Sequence, residues 1–184
     1  MTDATLGPGI REALVGAIPN LRAFAISLCG NPHLADDLVQ ETLLKAWSSR
    51  DKFIAGTNLK AWLFTILRNT YFSEFRKGRR EVQDVDGAAA AHLVSLPEQE
   101  GHADFTDFKR ALAQLSPDQR EALLLIGAEG FAYEEAAEIA GCAVGTVKSR
   151  VNRARARLAE LMGLTDVEDI AQELPARAHA THSP

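Results

Sequence analysis

The segment from Gly145 to Leu158, GTVKSRVNRARARL, combines cations with hydrogen-bonding side chains. It holds five Lys and Arg residues and no acid, although the whole chain has a formal net charge of −5. Guanidinium and ammonium groups bind phosphate, and polar side chains at the start of a helix can reach base edges in a major groove. A solvated Arg-rich face would usually alternate with Glu, yet here the next acid is Glu160. The pattern therefore favours DNA binding over a chance cluster of cations.

Apolar spacing predicts that this segment is the last helix of a helix-turn-helix. The buried stripe is expected to consist of Val147, Val151, Ala154, Leu158 and Leu161. Before it, YEEAAEIAG predicts a short helix that ends at Gly141. LSPDQREALLL predicts an earlier helix with Ser116 as its cap, Pro117 at its first position and Gln119 completing a capping box. A short helix, a glycine turn and a second helix form this motif.

A second helical block lies nearer the N-terminus. AIPNLRAFAISLCG predicts a helix that ends at Gly30, and Asn31 with Pro32 predicts the start of the next, PHLADDLVQETLLKAW. LKAWLFTILRNTYFSEFRKGRR predicts a longer helix with a basic far end. Its buried stripe is expected to consist of Leu59, Trp62, Leu63, Ile66 and Leu67.

An acidic segment separates the two blocks. Residues 10–80 carry 11 cations and 6 acids, residues 81–108 carry seven acids and no Lys or Arg, and residues 109–162 carry 8 cations and 7 acids. Gly, Pro and an Ala run give the middle segment a loop composition, with one helical turn expected near AAAAHLV. We predict an all-α protein of two small helical domains, 10–80 and 109–162, joined by a flexible acidic linker, 81–108. The tail, 163–184, is expected to be disordered.

Several classes of protein are disfavoured by composition. The start, MTDATLGPGI, lacks the charged and apolar regions of a signal peptide, and the apolar runs look too short to span a bilayer. Cys29 and Cys142 lie 113 residues apart, outside any CxxC spacing, so neither a disulfide framework nor a metal site is expected. Catalytic constellations and Gly-rich phosphate loops do not stand out. We expect a cytoplasmic protein that is not an enzyme and binds neither cofactor nor membrane.

Three stretches, in order, resemble extracytoplasmic-function (ECF) sigma factors of the sigma-70 family. DDLVQETLLKAW and LKAWLFTILRNTYFSEFRKGRR resemble region 2, and LSPDQREALLL through GTVKSRVNRARARL resembles region 4. The ordered pair is specific, whereas the helix-turn-helix alone would be weak. Overall similarity is to the general-stress-response subgroup of alphaproteobacteria. The resemblance implies a factor that directs core RNA polymerase to stress-type promoters and assists their opening. It also implies control by an anti-sigma protein and by a response regulator that imitates sigma.

The resemblance also implies roles for individual residues. Docking on the β and β′ subunits of core polymerase would use Asp37, Gln40, Glu41 and Leu44. The loop 48–58 and the helix after it would open and read the −10 element, with Asn69 at a flipped base. The residues implied there are Lys60, Asn69, Arg76, Lys77, Arg79 and Arg80. Reading of the −35 element by the recognition helix would use Thr146, Lys148, Ser149, Arg150, Asn152 and Arg153.

Alternatives stay open at this point. The polar docking residues could form a solvated helix face, and Trp62, Phe64 and Phe72 could be core residues, which we favour for Trp62. The acidic linker could imitate RNA in the polymerase channel or serve as a spacer. A helix-turn-helix regulator without polymerase contact would explain only the second block. A sigma-like decoy for an anti-sigma protein would carry a receiver domain and would have little use for the cations of 148–157.

Overall fold

The computed structural model describes residues 9–54, 56–85 and 103–164, which form helices joined by turns, with no strand among them. The chain divides into two compact units between Pro97 and Glu98. The first unit contains α1 (Gly9–Cys29), α2 (Pro32–Ser48), a short 3₁₀ turn (Arg50–Lys52) and α3 (Leu59–Val85). The second contains α4 (Ala103–Ala113), α5 (Pro117–Leu123) with a π-helical continuation (Leu124–Ala128), α6 (Tyr133–Ala140) and α7 (Val144–Met162). The predicted all-α fold is confirmed.

The first unit packs α1, α2 and α3 around an apolar core. The rings of Phe24 and Phe64 lie 4.9 Å apart between centroids, and the Tyr71 hydroxyl donates to the Leu28 carbonyl at 3.3 Å. The side chains that are almost completely buried here are Leu21, Phe24, Leu28, Leu38, Leu63, Phe64 and Leu67. These contacts fix α3, which carries several of the implied functional residues, against the other two helices.

The predicted stripe of α3 is only partly correct. Leu63 and Leu67 are fully buried, but so is Phe64, which the stripe omitted. Leu59, Trp62 and Ile66 are half-buried. The helix is rotated so that Phe64 meets Phe24, and Trp62 thereby lies at the margin of the core.

Caps that depend on neighbouring residues are as predicted. The Asn31 side chain accepts from the backbone amides of His33 and Leu34 at 2.9 and 3.2 Å, and Pro32 begins α2. At α5 the capping box is complete, since Ser116 Oγ accepts from the Gln119 amide and the Gln119 side chain accepts from the Ser116 amide, both at 3.3 Å. Gly141, with φ of 62°, ends α6 in a left-handed conformation that suits glycine.

In the second unit, α7 packs against α4, α5 and α6. Its predicted stripe is buried at Val147, Val151, Ala154 and Leu158, all 0% exposed, and half-buried at Leu161. This stripe fixes which faces of α7 remain outside.

Arg120 joins α5 to the end of α4. Its guanidinium is buried and donates to the carbonyls of Leu112, Ala113 and Leu115 at 3.0, 2.7 and 3.1 Å. Carbonyls at a helix C-terminus lack hydrogen-bond donors within the helix, and the Arg120 guanidinium supplies those donors. The arrangement stabilises the α4–α5 corner.

Helix boundaries differ from the prediction at three places. α1 begins at Gly9 rather than near Ala17, and Leu14, one turn inside the added part, is 6% exposed. α3 runs on to Val85 and α4 begins at Ala103, so helix occupies both ends of the predicted linker. The linker was delimited by charge, which does not oppose a helix by itself, and EVQDV contains neither Gly nor Pro. The turn expected near AAAAHLV and residues 165–184 of the tail lie outside the described residues.

Among the described helices, α1 is long and apolar enough to cross a membrane by length and composition. The segment Ile10–Cys29 has a mean hydropathy of 1.3. The expectation that every apolar run is too short is therefore wrong on this measure. Of this segment, 28% is buried, including Leu21, Phe24 and Leu28, which pack against the other helices of the first unit.

Candidate functional site

The exposed side of α2 brings together the four residues expected to dock on polymerase. Spacings of three, one and three residues place positions 37, 40, 41 and 44 on one helix face, and Leu38, Val39, Thr42 and Ala46 are buried on the other. Asp37 and Gln40 are exposed, and Leu44 is 71% exposed. Glu41 is half-buried and forms an ion pair with Lys45 at 2.6 Å.

Two apolar residues extend this surface beyond the sequence prediction. Leu34 is 40% exposed and Trp47 is 47% exposed, with the Arg50 guanidinium 5.1 Å from the centre of the Trp47 ring. The α2 face is defined here as Leu34, Asp37, Gln40, Glu41, Leu44 and Trp47. Large apolar side chains in solvent, mixed with polar ones, are typical of a protein-binding surface. The signal was present in the sequence, because Leu34 lies three residues before Asp37 and Trp47 three residues after Leu44, at helical spacing.

A groove of about 670 Å³ lies between the end of α2 and the middle of α3. Asn69 is exposed on its wall, and the Arg68 guanidinium donates to Asn69 Oδ1 at 3.3 Å. Arg68 also lies over the Phe72 ring at 4.6 Å from its centre. An amide, an aromatic face and guanidinium groups suit an unpaired base and its phosphate.

Lys45 forms part of the same groove, which the sequence did not reveal. Its ammonium donates to the Thr70 hydroxyl at 3.0 Å while pairing with Glu41 on the α2 face. Lys45 therefore connects the two surfaces of the first unit. Only the packing of α2 on α3 brings together residues 25 positions apart, so sequence spacing gave no signal.

The other residues implied for the −10 site are not all in the groove. Arg76 is exposed and lines it, and Lys77 is exposed and paired with Glu74 at 2.6 Å. Lys60 is nine residues before Asn69, roughly 13 Å along the helix axis, and its ammonium lies 5.5 Å from the Phe64 ring centre. Arg79 and Arg80 belong to the last turns of α3, where side chains fall outside the described residues.

The turn before α3 is held by an aromatic contact. The Phe53 and Trp62 rings lie 5.3 Å apart between centroids, and Ile54 beside them is 71% exposed. Trp62 thus packs partly on the core and partly on this turn. Trp62 is half-buried, so the core role favoured for it is met only in part.

The outer face of α7 displays most of the residues implied for the −35 element. Lys148, Asn152 and Arg153 are exposed, and the Lys148 ammonium lies 5.5 Å from the Tyr133 ring centre. Thr146 and Ser149 are half-buried at the start of the helix, with the Ser149 hydroxyl donating to the Thr146 carbonyl at 3.1 Å. These positions lie away from the buried stripe and toward the N-terminal half of α7.

Arg150 is directed elsewhere. One guanidinium nitrogen donates to Asp118 Oδ2 at 3.0 Å and another contacts Cys142 Sγ at 3.7 Å, and the side chain is 21% exposed. Further along α7, Arg157 pairs with Glu160 at 2.6 Å. Among the three cations implied for the −35 element, Arg150 is therefore bound within the protein, whereas Lys148 and Arg153 are exposed.

One ion pair of the first unit shifts a pKa. Arg22 holds Asp36 through two bonds of 2.6 and 3.3 Å, joining α1 to α2. The hydrogen bond from Arg22 lowers the pKa of Asp36 and outweighs the partial desolvation that would raise it. Across the described ranges, His, Cys, Asp and Glu side chains do not converge in groups of three that could bind a metal.

Two family models match the chain. Residues 14–81 match Sigma-70 region 2, and residues 105–158 match Sigma-70, region 4. The ECF RNA polymerase sigma factor EcfG of Rhodopseudomonas palustris (strain TIE-1) is 56% identical over 173 residues, covering 94% of this chain and 96% of the relative. Such identity over nearly the full length of both chains shows kinship, and not only a shared motif.

Solved structures agree with this. The sigma factor RpoE, co-crystallised with the anti-sigma factor NepR from Bartonella quintana, is 56% identical with a TM-score of 0.77, over 86% of this chain and 99% of that one. The PhyRSL–NepR complex from Sphingomonas sp. Fr1 has a TM-score of 0.63 at 21% identity, over 94% and 98% of the two chains, which shows the fold alone. The two matched regions, in this order and with this identity, place the chain in the sigma-70 family as an RNA polymerase sigma factor of the ECF class.

Proposed function

We propose that the sigma factor divides its work among three surfaces of the two units. The α2 face binds core polymerase, the groove at Asn69 receives an unpaired base of the −10 element, and the outer face of α7 reads the −35 element. Residues 10–80 and 109–162 are the domains that carry these surfaces. The protein performs no chemical step itself and acts in the cytoplasm.

The observation that carries this proposal is the division of α7 into two faces. The stripe Val147, Val151 and Leu158 is completely buried, which fixes Lys148 and Arg153 on the outside. Exposed polar and cationic side chains near the start of a helix that follows a helix and a glycine turn fit the major groove. The first unit supports the other two assignments through its exposed apolar residues and its polar groove.

We also propose that a small anti-sigma protein controls this sigma factor in a stress response. The relative RpoE, with 56% identity, was crystallised with the anti-sigma factor NepR. Overall similarity to EcfG points the same way. A decoy that only captures an anti-sigma protein would share the fold but would not support transcription.

Run-off transcription tests the proposal directly. Purified chain is added to core polymerase with a fragmented genomic template, and transcript 5′ ends map the promoters. Specific starts that share elements near −35 and −10 are expected. Transcripts that depend on core polymerase alone would contradict the proposal. Arg153→Ala then tests α7, with Arg157→Ala as the matched control. Only Arg153→Ala should lower the ratio of affinities for a mapped promoter and for one with a scrambled −35 element, by about tenfold.

A further inference from the structure

Arg150 lies where three elements of the second unit meet. It projects from the second turn of α7, bonds Asp118 in the first turn of α5, and contacts Cys142 in the turn between α6 and α7. Its side chain is less exposed than that of Asp118, 21% against 49%. The guanidinium therefore binds groups of the protein itself, although the neighbouring side chains of Lys148 and Arg153 are exposed.

The partner of Arg150 is itself firmly held. Asp118 follows Pro117 in the first turn of α5, where the Ser116–Gln119 capping box fixes the backbone. A carboxylate there also interacts favourably with the positive end of the helix. An anchor fixed in this way can define the position of a side chain from another helix.

A guanidinium is suited to setting orientation. Its planar fork presents several N–H groups in fixed directions, so two contacts on different elements restrict both rotation and sliding of the helix that carries it. The apolar contacts of Val147 and Val151 set the depth of α7 but are less directional. Groups that read bases must be held within about 0.5 Å of their productive position.

We propose that Arg150 is a positioning residue for promoter recognition: through Asp118 and Cys142 it holds the register of α7 on α5, so that Lys148, Asn152 and Arg153 meet the −35 element, and it does not itself contact DNA. This rests on the proposed role of α7. It removes Arg150 from the set of DNA-reading residues implied by the family resemblance.

The test uses holoenzyme assembled from the full chain and core polymerase. Affinity is measured on a promoter mapped by run-off transcription and on the same promoter with a scrambled −35 element, each over a range of salt concentrations. Arg150→Ala should lower the mapped-to-scrambled affinity ratio about fivefold, within the range expected for a partly buried ion pair. The salt slope should stay unchanged, because no phosphate contact is lost.

Asp118→Asn is the decisive variant. Removing an acid near DNA would ordinarily raise the affinity for DNA of either sequence. Positioning through Arg150 instead requires the mapped-to-scrambled affinity ratio to fall, as it does in Arg150→Ala. The double variant should be no worse than Arg150→Ala alone, since both changes break the same contact. Arg150→Lys, which keeps one donor for Asp118, should recover part of the ratio.

Folding is controlled by circular dichroism, with all affinities measured well below the lowest melting temperature. If the contact only stabilised the fold, the folded Arg150→Ala protein would keep the mapped-to-scrambled affinity ratio of the parent. That result would overturn the proposal. A fall of about one in the salt slope of Arg150→Ala would show direct phosphate contact and overturn it too. If the unmodified holoenzyme does not distinguish the two promoters, the role of α7 in recognition falls, and the positioning role falls with it.

Discussion

At the scale of single residues, Asn69 has an amide placed for a base that is no longer paired. It is exposed in a groove with cations and an aromatic ring. Asn69→Ala should slow promoter opening about tenfold while closed-duplex binding changes little, because the pocket matters only after strand separation. A fluorescent probe in the −10 element measures opening. A pre-melted template should restore part of the rate, and Asn20→Ala, an exposed Asn of α1, should behave as the parent; equal loss on both templates would make Asn69 structural.

The Arg22–Asp36 pair gives a pH prediction. The hydrogen bond from Arg22 lowers the pKa of Asp36 below its ordinary value of 3.8. Its contribution to stability is therefore fully present above that value and is lost as pH falls through the lowered pKa. Carbon-detected NMR titration of Asp36 should show a midpoint below 3.8 in the parent and a higher midpoint in Arg22→Gln. The stability difference between the two proteins should shrink as pH decreases from about 4; an identical midpoint in both would contradict the pairing.

Residue type alone did not reveal these roles. Arg150 and Arg153 have the same chemistry three positions apart, yet one bonds Asp118, 32 residues earlier, and the other is exposed. Lys45 likewise reaches Thr70 only because α2 packs on α3. Local signals succeeded where the partner is a near neighbour in sequence, as at Asn31 and Ser116. The roles implied for individual site residues stay predictions until they are tested.

At the scale of elements, the α2 face should bind polymerase without supporting the fold. Gln40→Ala with Leu44→Ser should weaken core binding about tenfold, because exposed apolar and amide groups lose their partners. Glu41 is left intact, since its removal would also release Lys45. Fluorescence anisotropy of labelled chain with core polymerase measures the affinity. Val15→Ser, at another exposed apolar position, is the matched control, and unchanged binding by the double variant would remove the assignment.

An introduced aspartate should affect the stability of the protein very differently on the two faces of α7. Val151→Asp places a carboxylate in a site that is 0% exposed and should cost about 4 kcal/mol of the free energy of unfolding. Asn152→Asp, one position away on the exposed face, should leave stability within about 0.5 kcal/mol and weaken DNA binding by repulsion. Urea unfolding followed by circular dichroism compares them. Equal stability of the two variants would contradict the predicted packing of α7.

Helix order was predictable, but helix ends were only partly so. The stripe of α7 and the caps of α2 and α5 follow from periodicity and from Ser, Asn and Pro, and they are confirmed. Charge was a poor guide to the linker, because α4 begins at Ala103, inside the acidic segment, and runs on to the buried Ala111 and Leu112. Phe64 was named as a possible core residue but left out of the stripe, because an aromatic residue beside a stripe fits the core or its margin.

At the scale of the whole molecule, kinship with an NepR-bound sigma factor makes regulation testable. NepR from Bartonella quintana, added in equal amount to the chain, should bring run-off transcription close to background. Inhibition is expected because this chain is 56% identical to the RpoE that was crystallised with NepR, so that the surface complementary to NepR should be preserved. An unrelated protein of similar size is the control, with transcript yield as the readout. Full transcription in excess NepR would contradict the proposed regulation, yet would leave the sigma activity itself untouched.

The two tryptophans of the chain lie at different places in the first unit. Trp47 stands on the α2 face beneath Arg50, and Trp62 packs on Phe53 before α3. The protein thus carries one native optical probe on the α2 face and another at the turn before α3, while the sequence of the second unit contains no tryptophan. Quenching by iodide should report Trp47 becoming covered as polymerase docks, and a spectral shift of Trp62 should report movement of the turn as strands part. Replacing either tryptophan by Phe would assign each signal to one residue. Docking and strand separation could then be followed separately without an attached dye.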